Sequence, residues 1–232
     1  DMLELDRVAL AQGQRMTNEV EAAYGRYEFH LVVQRLQTYC SEELGGFYLD
    51  VLKDRLYTTA KDSRARRSAQ TALAIIRDAL LKLMAPVLSF TAEEAWRLLY
   101  PADATIFAHV WQGALPAVPD EPALLAKWER ILAVRTRVLK ELEAVRQSGT
   151  IGSSLQAEVA IVAPDADYEA LAMLGDDLRF VLITSAATVE RGSELAVRVT
   201  PSAHAKCDRC WHWRADVGKD ATHPKLCGRC IA

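Results

Sequence analysis

Four of the chain's five cysteines fall in its last 26 residues, spaced C-x2-C, sixteen residues, C-x2-C. No other feature restricts the fold as tightly. Two residues between thiols let a tight turn aim both sulfurs at one point, and two such turns supply a tetrahedral set: Cys207, Cys210, Cys227 and Cys230. The N-terminus "DMLELDRVAL" lacks the basic-then-apolar order of a signal peptide, so a cytoplasmic protein is expected. In a reducing compartment clustered thiols indicate metal rather than disulfides. One structural Zn²⁺ is therefore expected, since four thiolates leave no position open for substrate. A segment this short cannot build a sufficient core of its own, so the metal is expected to hold it folded. His212 and His223 are expected at the surface, and Gly228 in the second turn is expected to supply a left-handed backbone.

Upstream the pattern is helical from about Gln14 to Trp111. Ala69, Ala72, Leu73, Ile76, Leu80 and Leu83 recur at three- and four-residue steps and predict one buried stripe. Pro86 ends or bends that helix. Thr91 and Glu94 have capping-box spacing at the start of the next, and Pro101 follows its last turn. Two more helices are expected across "AYGRYEFHLVVQRLQTYCSEELGGFYLDVLKDRLYTT", with Cys40 as a buried small hydrophobe. Three prolines then mark a break before a charged helix over roughly 124–147. "LQAEVAIVAP" alternates as a half-buried strand does, and with a short helix and the strand candidates "AATVER" and "ELAVRVT" it makes a small α/β unit. The fold class expected is mainly α: a helical bundle, a small α/β junction and a four-cysteine zinc ribbon, over 1–148, 149–200 and 201–232. No run of apolar residues is long enough for a transmembrane helix, and no membrane partner is expected.

Net charge is −3, but its distribution is uneven. Residues 53–82 hold eight Lys/Arg against three Asp/Glu, and residues 127–146 and 204–232 each hold six against three. Basic stretches on an acidic body fit a protein that steers a polyanion to one face; solvated helix surfaces give the same pattern. Zinc tempers the tail, because four thiolates on one dication contribute −2. No Ser/His/Asp or Cys/His set forms a nucleophilic site, and no catalytic residue is assigned. His30 and His109 read as structural.

Two stretches carry a resemblance beyond a zinc ribbon. "GGFYLDVLKDRLYTTAKDSRARRSAQTAL…MAPVLSFTAEEAW" resembles the helical anticodon-binding domain of bacterial isoleucyl-tRNA synthetases, and "KCDRCWHW…DVGK…LCGRC" that family's zinc module. "TIGSSLQAEVAIVA" and "LRFVLITSAATV" are similar to the junction between them, so the likeness covers essentially the whole chain. The resemblance implies a class I ligase that joins isoleucine to its tRNA with ATP and Mg²⁺. Neither an HIGH-type nor a KMSKS-type motif is found, nor anything like an editing domain, so a piece of a longer enzyme is expected, monomeric and inactive by itself. Its partner would be isoleucine-accepting tRNA, with no DNA. Candidate phosphate contacts are Lys53, Arg55, Lys61, Arg64, Arg66 and Arg67, with Arg64 and Arg67 on one helical face. Tyr57 is a candidate to stack an unpaired base. In the tail, Arg209, Arg214 and Arg229 are candidate contacts, and Trp211 and Trp213 either pack over the metal site or offer a face to the RNA. Two rivals stand beside this reading: a zinc-ribbon DNA glycosylase, which needs a β-rich first domain, and a zinc-stabilised adaptor binding protein through the 124–147 helix.

Overall fold

The computed structural model describes residues 2–111 and 115–231, and its packing divides the chain into two compact units. The first comprises residues 1–56 and 60–125; the second, residues 57–59 and 126–232.

Unit 1 is helical: α1 (Glu4–Gly25), α2 (Phe29–Thr38), a π-helix (Tyr39–Tyr48), α3 (Leu49–Thr58), α4 (Arg64–Met84) and α5 (Ser89–Leu99). Its core is the packed faces of α1 (Leu5, Val8, Leu10, Met16, Val20) and α4 (Ala69, Ala72, Ile76, Ala79, Leu83), small residues on α4 letting the helices approach closely. Leu73 and Leu80, placed in the stripe by periodicity, lie half-buried at its flanks, and Ala79 takes the central position. Helix starts earlier than the expected Gln14, because Val8, Ala9, Leu10 and Ala11 are buried despite a polar-looking N-terminus.

Among the described residues of unit 1, one charged residue lies wholly inside. Asp6 is completely buried and accepts hydrogen bonds from the hydroxyls of Tyr48 (2.7 Å) and Ser68, with Arg55 Nη1 3.5 Å away. The Ser68 hydroxyl also accepts from the backbone N–H of Leu3 at 2.8 Å. This knot ties α1, the π-helix, α3 and α4 together by polar bonds that apolar packing alone would not aim.

The π-helix explains Cys40. A widened turn brings each carbonyl against the residue five on, and a Cβ on Gly45 would lie 3.0 Å from the Cys40 carbonyl oxygen; glycine admits the geometry. Tyr39 turns into the core and the next side chain, Cys40, is exposed, contrary to the expectation that it is buried. At the start of α5 the predicted Thr91–Glu94 box does not form. The Ser89 hydroxyl bonds back to the Ala85 carbonyl at 2.8 Å, and the helix begins at Ser89. The following turns are tied down by acids: Asp103 accepts from Trp96 Nε1–H at 2.9 Å and lies 2.6 Å from His109 Nε2, while Glu93 accepts from the Ile106 N–H at 3.0 Å and the Thr105 hydroxyl at 2.9 Å.

Most of α6 (Glu121–Gln147) belongs to unit 2, where Ile131, Val134, Val138 and Leu142 form a buried stripe. A three-stranded sheet follows in order β2-β1-β3: β1 (Ala157–Ala163), β2 (Ala186–Arg191) and β3 (Ala196–Pro201). β1 pairs β2 in parallel (Val159 opposite Ala187) and β3 antiparallel (Val159 opposite Val199). As the central strand it buries Ala157, Val159, Ile161 and Ala163. The parallel crossover carries α7 (Asp165–Ala172) and α8 (Leu178–Leu182), two helices where the sequence suggested one, because Gly175 breaks them at φ +51°. The tail adds β4 (Ala205–Lys206), β5 (Trp213–Arg214) and α9 (Gly228–Ile231).

Candidate metal centre and nucleic-acid interface

The four tail cysteines converge. Cys207, Cys210, Cys227 and Cys230 are buried, and their sulfurs all lie within 4.8 Å of one another, with Cys210 Sγ 3.7 Å from Cys227 Sγ. Tetrahedral thiolates about 2.3 Å from one zinc stand about 3.8 Å apart, so the set fits that ion. Reduced sulfurs at such spacing are not disulfides, whose bond is near ~2.0 Å.

Backbone hydrogen bonds build the two knuckles. In the first, the Trp211 N–H donates to the Cys207 carbonyl (2.9 Å) and the Cys207 N–H to the His212 carbonyl (2.9 Å), with Trp211 left-handed at φ +63°. In the second, the Cys230 N–H donates to the Cys227 carbonyl (2.9 Å), and the Cys227 N–H reaches across to Cys207 Sγ (3.4 Å). Gly228 is not left-handed, as the sequence suggested. Its value is the missing Cβ: the Gly228 N–H donates to Asp216 Oδ2 at 2.9 Å, an atom a Cβ there would approach to 3.0 Å.

Electrostatics around the sulfurs favour a cation. Burial works against the Cys207 thiolate, but N–H donors of Cys210, Cys227 and Arg209 outweigh it and hold its pKa down to about 7. Burial and the neighbouring sulfurs push Cys210 and Cys230 upward. A dication among them removes that repulsion. Among the described residues only Val217 and Leu226 pack as hydrophobics against the buried cysteines, so the sulfurs are themselves the ribbon's core.

The ribbon is docked on the α/β part of unit 2. The Trp213 N–H donates to Ser185 Oγ at 2.6 Å, and the His212 ring packs edge-on against Phe180, centroids 5.6 Å apart. Guanidinium groups of Arg179 and Arg229 lie 4.1 and 5.0 Å from the same ring's centroid. His212 is thus buried, not at the surface as expected: its ring sits between the Cys210 carbonyl, 3.1 Å from Nδ1, and Phe180. His223 is exposed. Lys206 Nζ lies 5.5 Å from the Trp211 ring centroid and 5.4 Å from that of Trp213, so both indoles engage one ammonium beside the metal site. Trp211 nevertheless keeps 60% of its surface exposed, and Trp213 is half-buried.

The other candidates divide by exposure. Arg209 is exposed, its Nη1 3.3 Å from the Cys230 carbonyl; Arg214 and Arg229 are half-buried, Arg214 Nε lying 3.6 Å from Asp216. In unit 1 Lys53, Lys61, Arg64 and Arg67 are exposed and Arg66 half-buried, with Lys53 pairing Asp50 at 2.6 Å. Ser63 caps α4 by accepting from the Arg66 N–H. Tyr57 is 77% exposed. Arg55 is the exception: it is buried against Asp6, so it does not face a solvent-borne phosphate. Its helical phase gave the signal, since it follows buried Val51 and Leu52 by one turn.

The family model described as the anticodon-binding domain of tRNA ligase matches residues 6–161. The chain belongs to that family. A second model, the zinc finger found in FPG and IleRS, matches residues 206–232 of this anticodon-binding family member, the stretch that holds all four cysteines. Over its whole length the chain is 59% identical to the isoleucine–tRNA ligase of Bordetella avium and 60% identical to that of Paraburkholderia phytofirmans, covering 25% of each. It therefore spans about a quarter of the length of the curated relatives it matches.

Proposed function

We propose that the chain is the tRNA-gripping part of an isoleucine–tRNA ligase. The single observation that supports this is identity near 60% to such ligases along the whole chain, across both the anticodon-binding match and the zinc-finger match. Activation of isoleucine with ATP and Mg²⁺, and its transfer to tRNA, would belong to the longer protein. Its relatives share the ribbon model with FPG, but the helical anticodon-binding match favours RNA over DNA.

Cys207, Cys210, Cys227 and Cys230 hold one structural Zn²⁺. Bound there, the ion supplies cross-linking and no reaction chemistry, because four thiolates leave it no vacant position. Lys53, Lys61, Arg64, Arg66 and Arg67 contact phosphates, and Tyr57 stacks an unpaired base. In the ribbon, Arg209, Arg214 and Arg229 contribute local charge, and Trp211 with Trp213 offer aromatic faces. Residues 1–148 form the anticodon grip, 149–200 the junction and 201–232 the metal module. The protein works as a cytoplasmic monomer; among the described residues no helix is long and apolar enough to cross a membrane.

Titration with isoleucine-accepting tRNA across a salt series tests the reading. Five phosphate contacts give a log–log salt slope of about −4. No binding at low salt, or equal affinity for duplex DNA of similar length, overturns it.

A further inference from the structure

Phe180 belongs to α8, in the junction, yet the groups around its ring come from both knuckles of the ribbon. The His212 ring, just past Cys210, meets it edge-on at 76°. The Arg229 guanidinium, carried between Cys227 and Cys230, lies 5.0 Å from its centroid. On the junction's own side Arg179 stands 4.1 Å away, held by Asp176 through two hydrogen bonds of 2.9 and 2.7 Å. Two guanidiniums gathered at one ring repel each other; the π face and the Asp176 carboxylate offset that repulsion. Arg179 keeps the Asp176 carboxyl below its ordinary range against the opposing effect of burial, and Arg214 and Arg229 add to the lowering, so the ribbon's charges reach the junction's acid.

The two knuckles differ in what else holds them. The first is the turn of a hairpin, with β4 and β5 paired antiparallel, Lys206 opposite Trp213, and the Trp213 N–H bonded to Ser185. None of these bonds involves a sulfur. The second knuckle is joined to the first by exposed bonds, such as the Asp208 N–H to the Lys225 carbonyl (3.1 Å) and Arg209 Nη1 to the Cys230 carbonyl (3.3 Å), and by the sulfurs themselves. Arg229 also hydrogen-bonds the Cys210 sulfur, across from its own knuckle. Its position over Phe180 therefore depends on the ion that the two knuckles share, whereas the contact between Trp213 and Ser185 does not.

We propose that Phe180 is a positioning residue for the metal site, coupling zinc occupancy to docking of the ribbon on the junction. With both knuckles closed, His212 and Arg229 reach the ring together; the ring in turn holds the knuckles closed. Coupling of this kind is reciprocal, so a junction residue outside the ligand set governs how tightly the ribbon keeps its ion. Loss of the ion releases the second knuckle and uncovers Phe180, while the β4–β5 hairpin stays on Ser185. The proposal rests on the reading of the four cysteines as a zinc site and adds a docking role to it.

Hydroxyl-radical footprinting of the full chain, zinc-loaded and stripped, reads the exposure of Phe180 directly. Stripping is expected to raise labelling of half-buried Phe180 and to leave Phe47, buried in unit 1, unchanged. Zinc affinity, measured by competition with a chromogenic chelator, is expected to fall about tenfold in Phe180→Leu, the lower end of the effect of residues that support metal ligands from outside the set. Phe180→Tyr, which keeps the ring, is expected to retain the parental affinity. Phe180 labelling that ignores the metal refutes the coupling whatever the variants do. Parental affinity in Phe180→Leu refutes it too, as do equal losses in both variants, because the ring then counts for no more than its bulk. A chain that takes up no zinc overturns the metal reading and the coupling with it; one zinc per chain with metal-independent labelling overturns the coupling alone.

Discussion

Asp6→Ala probes a fully buried polar knot. The substitution deletes a fully buried carboxylate, strands the Tyr48 and Ser68 hydroxyls, and leaves the buried Arg55 guanidinium without the carboxylate 3.5 Å away. Breaking a buried ion pair from one side costs about 3–5 kcal/mol, and each orphaned buried hydroxyl adds on the order of 1 kcal/mol unless water enters the gap. A loss of about 5–7 kcal/mol is expected where no water enters, a large share of the roughly 5–15 kcal/mol typical of a domain. Arg55→Met should cost less, since two hydroxyls still serve Asp6. In the double variant no charge is left unopposed, so its loss should fall short of the sum of the singles by at least about 2 kcal/mol. Urea denaturation followed by far-ultraviolet circular dichroism measures all four proteins, with equal m values as the control. Additive losses, or an Asp6→Ala loss below about 1 kcal/mol, would show that the knot contributes no coupling and the reasoning fails.

Metal analysis of freshly reduced protein should find one zinc per chain, and Cys227→Ser should lose it together with protease resistance of residues 204–231; a metal-free ribbon that resists protease contradicts the site. Gly228→Ala should weaken zinc retention against a chelator severalfold without changing unit 1, because the new methyl crowds Asp216 Oδ2; unchanged retention shows that Asp216 yields freely. The Ile106 N–H, Arg97 and Thr105 hold the Glu93 carboxyl below its ordinary range, and Trp96 and His109 do the same for Asp103. Depressed carboxylates stabilise above their unfolded pKa, about 4, and that stabilisation is lost as pH falls through the lower folded value. Glu93→Gln should therefore melt below the parent at pH 7, and the gap should shrink as pH falls below the ordinary carboxylate range; a gap that does not change with pH refutes the assignment.

Patterns that repeat along the chain were legible in the sequence. The cysteine spacing brought out a set whose sulfurs do converge, the alternation of "LQAEVAIVAP" corresponds to the buried central strand, and the α4 stripe is buried along most of its length. What eluded the sequence depends on partners distant along the chain. Arg55 carries only the hint of its phase, one turn after Val51 and Leu52, until Asp6, 49 positions earlier, is placed beside it. His212 reads as polar and exposed until Phe180 covers its ring. Cys40 and the Thr91–Glu94 spacing misled for local reasons: a π turn shifts the phase that simple 3.6-residue counting assumes, and α5 starts at Ser89, so Thr91 lies inside its first turn rather than at the cap.

That shift in phase has a consequence for insertions and deletions. A π-helix accommodates extra chain that an α-helix of equal length would not, so residues 39–48 act as a phase adjuster between α2 and α3. Removing one residue there restores ordinary helical hydrogen bonding at little local cost. Because a π residue turns the chain less than an α residue does, the conversion also changes the angular position of everything downstream about the helix axis. Arg55 would leave the face that meets Asp6, and Val51 and Leu52 would turn toward solvent. The segment's length is thus fixed by the buried knot, which begins at its last residue, Tyr48, and continues into α3.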